Sequence, residues 1–145
     1  MRVLVCGGRD YKDVDAVYMV LDGLKERPTV IIHGCASGAD SIAAMWAEER
    51  GVPVDPYPAE WEDLSHPDAI VKTRRDGRQY DARAGFRRNL RMIIEGKPDL
   101  VIAFPGGSGT KNMKEVAAQA SIPIMDAIAA LRAFDILRIA RMNEG

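Results

Sequence analysis

Three short apolar runs, Arg2–Cys6, Thr29–His33 and Asp99–Phe104, each lead into a glycine-bearing turn and then into a segment of helical spacing. That alternation between two periods leaves few folds open, because a run buried on both faces needs helices above and below it. After Arg2–Cys6, the residues Val14, Val17, Tyr18, Leu21 and Leu24 recur at helical spacing until Pro28 ends the segment. Ala39–Arg50 is alanine-rich and helical, and Gly51 with Pro53 stops it before a short strand over Val52–Tyr57. Helix returns near Gly85–Glu95, followed by the most apolar strand, Asp99–Phe104, a helix over Lys111–Ala120, a last strand over Ile122–Met125 and a closing helix over Ala127–Met142. The fold class expected is α/β: one doubly wound domain with a mostly parallel five-stranded sheet flanked by helices.

At 145 residues and 47% apolar content the chain suits one well-packed domain spanning 1–145 and is too short for two ordinary ones. Its middle, 58–84, is polar and poorly periodic, an inserted loop longer than the usual strand-to-helix connection; 126–145 holds the C-terminal helix. The net charge of -1 gives no global attraction to nucleic acid or to an anionic membrane. Cys6 and Cys35 stand alone, with no metal-spaced partners, so both read as small buried fillers in a reducing compartment, and neither a metal nor a cofactor is expected. No cleavable or membrane-length apolar segment is present, so the expected location is cytoplasmic.

The turns are where chemistry is expected. In doubly wound sheets the ligand crevice lies beyond the carboxyl ends of the strands. Gly7-Gly8-Arg9-Asp10, the stretch from His33 to Asp40 with Gly34, Ser37 and Gly38, and Pro105-Gly106-Gly107-Ser108-Gly109-Thr110 all fall at such ends. Each offers backbone N–H groups that a phosphate can approach without meeting a Cβ. None is a Walker loop, since no Gly-Lys-Ser/Thr follows at the required spacing, and none matches Gly-x-Gly-x-x-Gly.

Those turns, together with Pro58-Ala59 and Trp61, Ala84-Gly85, Arg88-Asn89 and Met92, resemble the YspA-type, cpYpsA-related branch of the SLOG superfamily, in order and as far as Met125. The better-known relatives are the LOG phosphoribohydrolases, which release a base from a nucleoside monophosphate; DprA is more distant. The resemblance implies a Rossmann-like fold whose glycine loops bind a nucleotide or nucleotide-derived ligand. The LOG pattern carries an Arg-Lys pair and then Pro-Gly-Gly-x-Gly-Thr-x-x-Glu. Here Arg88 holds the arginine position, Asn89 replaces lysine, and Met113 replaces the glutamate. A thioether neither handles a proton nor stabilises an oxocarbenium-like centre, so catalysis would need Glu115, Asp10 or Asp40 in that role.

Local charge gathers between Lys72 and Arg91, where Arg74, Arg75, Arg78, Arg83, Arg87 and Arg88 also lie, against Asp76 and Asp81. Arg88 is expected to face the crevice and grip phosphate oxygens, and the others to be mostly solvated. Asp10 suits a ribose hydroxyl or a cap, Asp40 and Ser37 equally a helix cap or a ligand contact, and Trp61 a stacked base or a covered sheet edge. His33 reads as a hydrogen-bonded structural histidine. Ser108 and Thr110, beside the N–H groups of Gly106, Gly107 and Gly109, have the strongest case for phosphate contact.

Three functions follow, in order of preference. The first is a sensor or sequestering protein for a nucleoside phosphate, ADP-ribose or cyclic ADP-ribose type of ligand. The second is a LOG-like N-glycosidic hydrolase with Arg88 and Glu115 as its candidate catalytic residues. The third is DprA-like nucleic-acid binding, which is the least expected, and no membrane partner is foreseen. The closing helix, with Ile128, Leu131, Phe134, Ile136, Leu137, Ile139 and Met142, carries more apolar residues than one buried stripe needs and suggests a homodimer or higher homo-oligomer.

Overall fold

The computed structural model describes residues 1–144. Strands β1 (Arg2–Cys6), β2 (Val30–His33), β3 (Val54–Pro56), β6 (Leu100–Ala103) and β7 (Ile124–Asp126) form one sheet in the order β3-β2-β1-β6-β7. All four pairings are parallel, with Leu4 opposite Ile32 on one side and Val101 on the other. Alternation of side chains along the strands divides the core in two. Val3, Val5, Ile31 and Ile102 pack under α1 (Val14–Asp22), α2 (Ala39–Arg50) and the start of α5 (Ala127–Glu144). Leu4, Cys6, Ile32, Val101 and Ala103 pack under α3 (Ala84–Ile94) and α4 (Ser108–Gln119) on the opposite face.

The helix ends follow local chemistry. Asp13 caps α1 by accepting from the Ala16 N–H at 3.0 Å. Gly51 closes α2 in the left-handed region at φ +68°, its N–H bonding back to Ala47 O. Helix α4 starts at Ser108, three residues before the Lys111 start read from the sequence, so half of the glycine stretch is helical.

The 58–84 segment is not wholly loop. It contains an antiparallel hairpin, β4 (Val71–Thr73) with β5 (Gln79–Asp81), closed by Arg74 N–H to Arg78 O at 2.8 Å and by Gly77 at φ +86°. The hairpin is pinned by Asp81, which is fully buried and accepts from the Ile70 N–H at 3.2 Å, the Arg83 N–H at 2.9 Å and the Arg87 guanidinium. Arg87 also reaches Asp68 at 2.7 Å, which ties the segment to α3. Arg87 is therefore a structural ion-pair residue and not one of the solvated arginines expected.

Candidate functional site

Neighbouring β1 sends its chain to β2 on one side while β6 lies on the other, so the sheet order reverses between them, where a doubly wound fold opens a crevice. A crevice of about 700 Å³ lies there. Its floor is the turn after β1, Gly7 to Tyr11; one wall is the stretch from Pro105 to Thr110 after β6; the other wall holds Asp40, Arg88 and Asn89; and Trp61 comes from the inserted segment.

The two loops at the floor interlock. Gly8 N–H donates to Pro105 O at 2.8 Å, and Gly8 O accepts from Tyr11 and Ala39. A Cβ on Gly106 would stand 2.7 Å from Gly8 N, so this glycine is required by the approach of one loop to the other. Gly38, at φ +80°, lies against Gly8 O and Arg9 and does not line the crevice; its place is structural. Gly107 and Gly109 differ, since a side chain added at either would meet nothing within 4 Å. That open backbone starts α4. The first helical hydrogen bond there is Lys111 N–H to Gly107 O at 3.1 Å, and no side chain caps the N–H groups of Ser108, Gly109 and Thr110 before it. Unpaired donors and the positive end of the helix dipole thus face the crevice together, an arrangement suited to an anion.

The second glycine turn departs from expectation. Three of its N–H groups are engaged within the protein: Gly34 and Ala36 donate to Asp40 Oδ2 at 2.8 and 3.3 Å, and Cys35 donates to His33 Nδ1 at 3.1 Å. These three N–H groups are therefore not open to a phosphate, unlike those at the start of α4. His33 is the buried, hydrogen-bonded structural residue expected, and burial holds its imidazole below the usual value. Cys6 is buried, with its thiol pushed up to about 12, whereas Cys35 is exposed at φ +60° and is no core filler. Gly34 and Ser37 line a side cleft of about 220 Å³ that shares Arg9, Trp61 and Arg88 with the main crevice. Ser37 donates to Arg9 O at 3.2 Å.

Burial raises the Asp40 carboxyl to about 6, against the pull of the two loop N–H groups and of Arg88 and Arg9. Arg88 donates from Nη1 to Gly34 O and from Nε to Asn89 Oδ1 at 3.1 Å. Asn89, itself buried, donates onward to Gly109 O at 3.1 Å and to Asn112 Oδ1 at 3.0 Å. The Arg9 guanidinium lies 5.0 Å over the Trp61 ring, whose edge fits where a Cβ on Gly85 would be. Arg9 and Asp10 are the exposed residues of the turn after β1.

Glu115 is exposed on α4 and does not line the crevice, and Met113 is fully buried in the core beneath α4. The carboxylates lining the crevice are Asp10 and Asp40. Tyr11, packed on Phe104 with ring centroids 5.3 Å apart, and Phe86 on α3 also line it and were not singled out from the sequence. The place of Tyr11 directly after Gly7-Gly8-Arg9-Asp10 was the available signal. Much of the basic segment is internally paired: Arg83 and Arg87 with Asp68, Arg91 with Glu95, and Arg74 over Tyr80. Among the described residues no three His, Cys, Asp or Glu gather as a metal site, and no helix is long and apolar enough to cross a membrane.

Residues 1–63 match the model of a family described as YspA, cpYpsA-related SLOG family. The Gene 61 protein of Mycobacterium phage D29 is 34% identical over 135 residues, covering 86% of this chain and 94% of that protein. The X-ray structure of DNA processing protein A (DprA) from Streptococcus pneumoniae is similar at a TM-score of 0.50 and 21% identity, over 86% of this chain. The match takes in 58% of the DprA chain, and the likeness is one of fold.

Proposed function

Because the chain belongs to the YspA, cpYpsA-related SLOG family, we propose that its crevice binds a nucleotide-derived ligand: a nucleoside phosphate, or an ADP-ribose or cyclic ADP-ribose type of molecule. The observation that carries this reading is the uncapped first turn of α4, where the N–H groups of Ser108, Gly109 and Thr110 meet open space at Gly107 and Gly109. Phosphate oxygens accept from that turn and from the hydroxyls of Ser108 and Thr110, while Arg9 and Arg88 add positive charge across the crevice. Trp61, Tyr11 and Phe86 supply aromatic surface for a base.

Binding without turnover is favoured over N-glycosidic hydrolysis, because the position that carries glutamate in the LOG pattern is a buried methionine and Glu115 is off the crevice. The protein then acts as a sensor or sequestering protein in the cytoplasm. Nucleic-acid binding is disfavoured by the internal pairing of the arginines on and before α3. The exposed second half of α5 supports self-association, with Ile136, Leu137, Ile139 and Met142 each more than half exposed.

The test mixes the pure protein near stoichiometry with AMP, ADP-ribose, cyclic ADP-ribose and NAD, followed by filtration and mass spectrometry of both fractions. Intact ligand retained with the protein is expected. Free base and ribose phosphate accumulating beyond one equivalent would make it a hydrolase instead.

A further inference from the structure

We propose that Asp40 and Arg88 together read the vicinal hydroxyls of a ribose, so that the crevice takes ribonucleotide ligands and discriminates against their 2′-deoxy and 3′-deoxy counterparts. This rests on the nucleotide reading above and adds the sugar to it.

Asp40 lies in the first turn of α2 with 5% of its surface exposed. Both loop N–H groups that it satisfies, from Gly34 and Ala36, reach the same oxygen, Oδ2. Oδ1 accepts no hydrogen bond from the described residues and is not sealed from solvent, and Asp40 lines the crevice. Oδ1 is thus an acceptor of a largely buried side chain that is left open to whatever occupies the crevice.

Arg88 is in the complementary condition. Nε and Nη1 are committed to Asn89 and Gly34 O, while Nη2 donates to no acceptor among the described residues, and Arg88 lines the same crevice. Gly34 fixes the two groups relative to each other, since its carbonyl takes Arg88 and its N–H gives to Asp40. One idle acceptor and one idle donor, held from a single residue, match a pair of hydroxyls, each of which donates and accepts. They do not suit a phosphate, which a buried carboxylate repels. An anion is therefore directed to the start of α4, and the Asp40 end receives the uncharged, hydroxyl-bearing part of the same ligand.

Calorimetric titration of the full chain at pH 8 with AMP, 2′-deoxy-AMP and 3′-deoxy-AMP tests this, with Asp40→Asn as the variant. AMP is expected to bind at least about tenfold more tightly than either deoxy form, the loss of one hydrogen bond to a charged group. In the variant the three affinities converge, while inorganic phosphate still competes, at least as strongly as before. Equal affinities for all three in the unmodified protein would overturn the sugar reading and leave the nucleotide reading intact. Failure of AMP and of inorganic phosphate to bind at all would overturn both. The ratio in the unmodified protein decides the matter even where the variant does not fold.

Discussion

Asn89 on α3 and Gly109 on α4 are joined by a hydrogen bond of 3.1 Å from the buried Asn89 amide to the Gly109 carbonyl. The same amide nitrogen donates to Asn112 Oδ1, and its oxygen receives Arg88 Nε, so one side chain sets both the start of α4 and the arginine facing it. Replacement of Asn89 by leucine removes all three bonds and leaves buried groups unpaired. A stability loss of about 2 kcal/mol is expected by denaturant titration, together with a fall of about tenfold in AMP affinity. Unchanged AMP binding in a destabilised variant would sever the link between this amide and the crevice.

Two glycines of one loop are expected to respond in opposite ways. Gly106→Ala puts a Cβ 2.7 Å from Gly8 N and should destabilise by about 1–3 kcal/mol, because backbone must move. Gly109→Ala meets open space within a helix and should hold or raise stability by up to about 1 kcal/mol, yet weaken AMP binding. Thermal melts and titrations on the pair separate packing from ligand contact.

The Asp40 carboxyl, raised by burial to about 6, makes the folded state hold a proton that the unfolded chain releases near its ordinary value of 3.8. Stability from this group is therefore full below about pH 4 and is lost as the pH rises through 6. His33, held low by burial, acts with the opposite sign, gaining stability as the pH rises to its ordinary value of 6.5. Comparison with Asp40→Asn isolates the first effect, since His33 is common to both proteins. The variant is expected to match the unmodified protein at pH 4 and to exceed it by about 2–3 kcal/mol at pH 7.5. A gap that does not change with pH would refute it.

Self-association through α5 predicts a dimer or larger species by light scattering at micromolar concentration, reduced to monomer by Ile136→Asp with Ile139→Asp. Neither residue contributes to the two cores, so the melting temperature of the monomeric variant should barely move. A monomer before substitution rejects this assembly.

Much of the sheet was legible because its strands are short apolar runs ended by glycine. The α2 span, Ala39–Arg50, was readable to the residue, since alanine favours helix and Gly51 takes the left-handed cap. Helix α4 was read late because Ser108 and Gly109 look like loop, and what secures that first turn is Asn89, 20 positions away. The β4–β5 hairpin was missed because its strands are short, mostly polar and, Asp81 apart, largely exposed; Asp76-Gly77 was the available signal. At the site, the sequence marked the loops but not their division of labour. Gly34, Gly38 and Gly106 look alike in sequence to Gly107 and Gly109, and only the approach of Gly8, Arg9 and Arg88 separates glycines that pack from glycines that stay open.

The central claim is that the start of α4 holds a phosphate. The most direct measurement is an amide proton–nitrogen correlation spectrum of the labelled protein, titrated with AMP. Saturable shifts are expected to be largest at the N–H groups of Ser108, Gly109 and Thr110, and inorganic phosphate should move the same peaks at higher concentration. Binding of AMP that leaves these three amides unmoved would contradict the account.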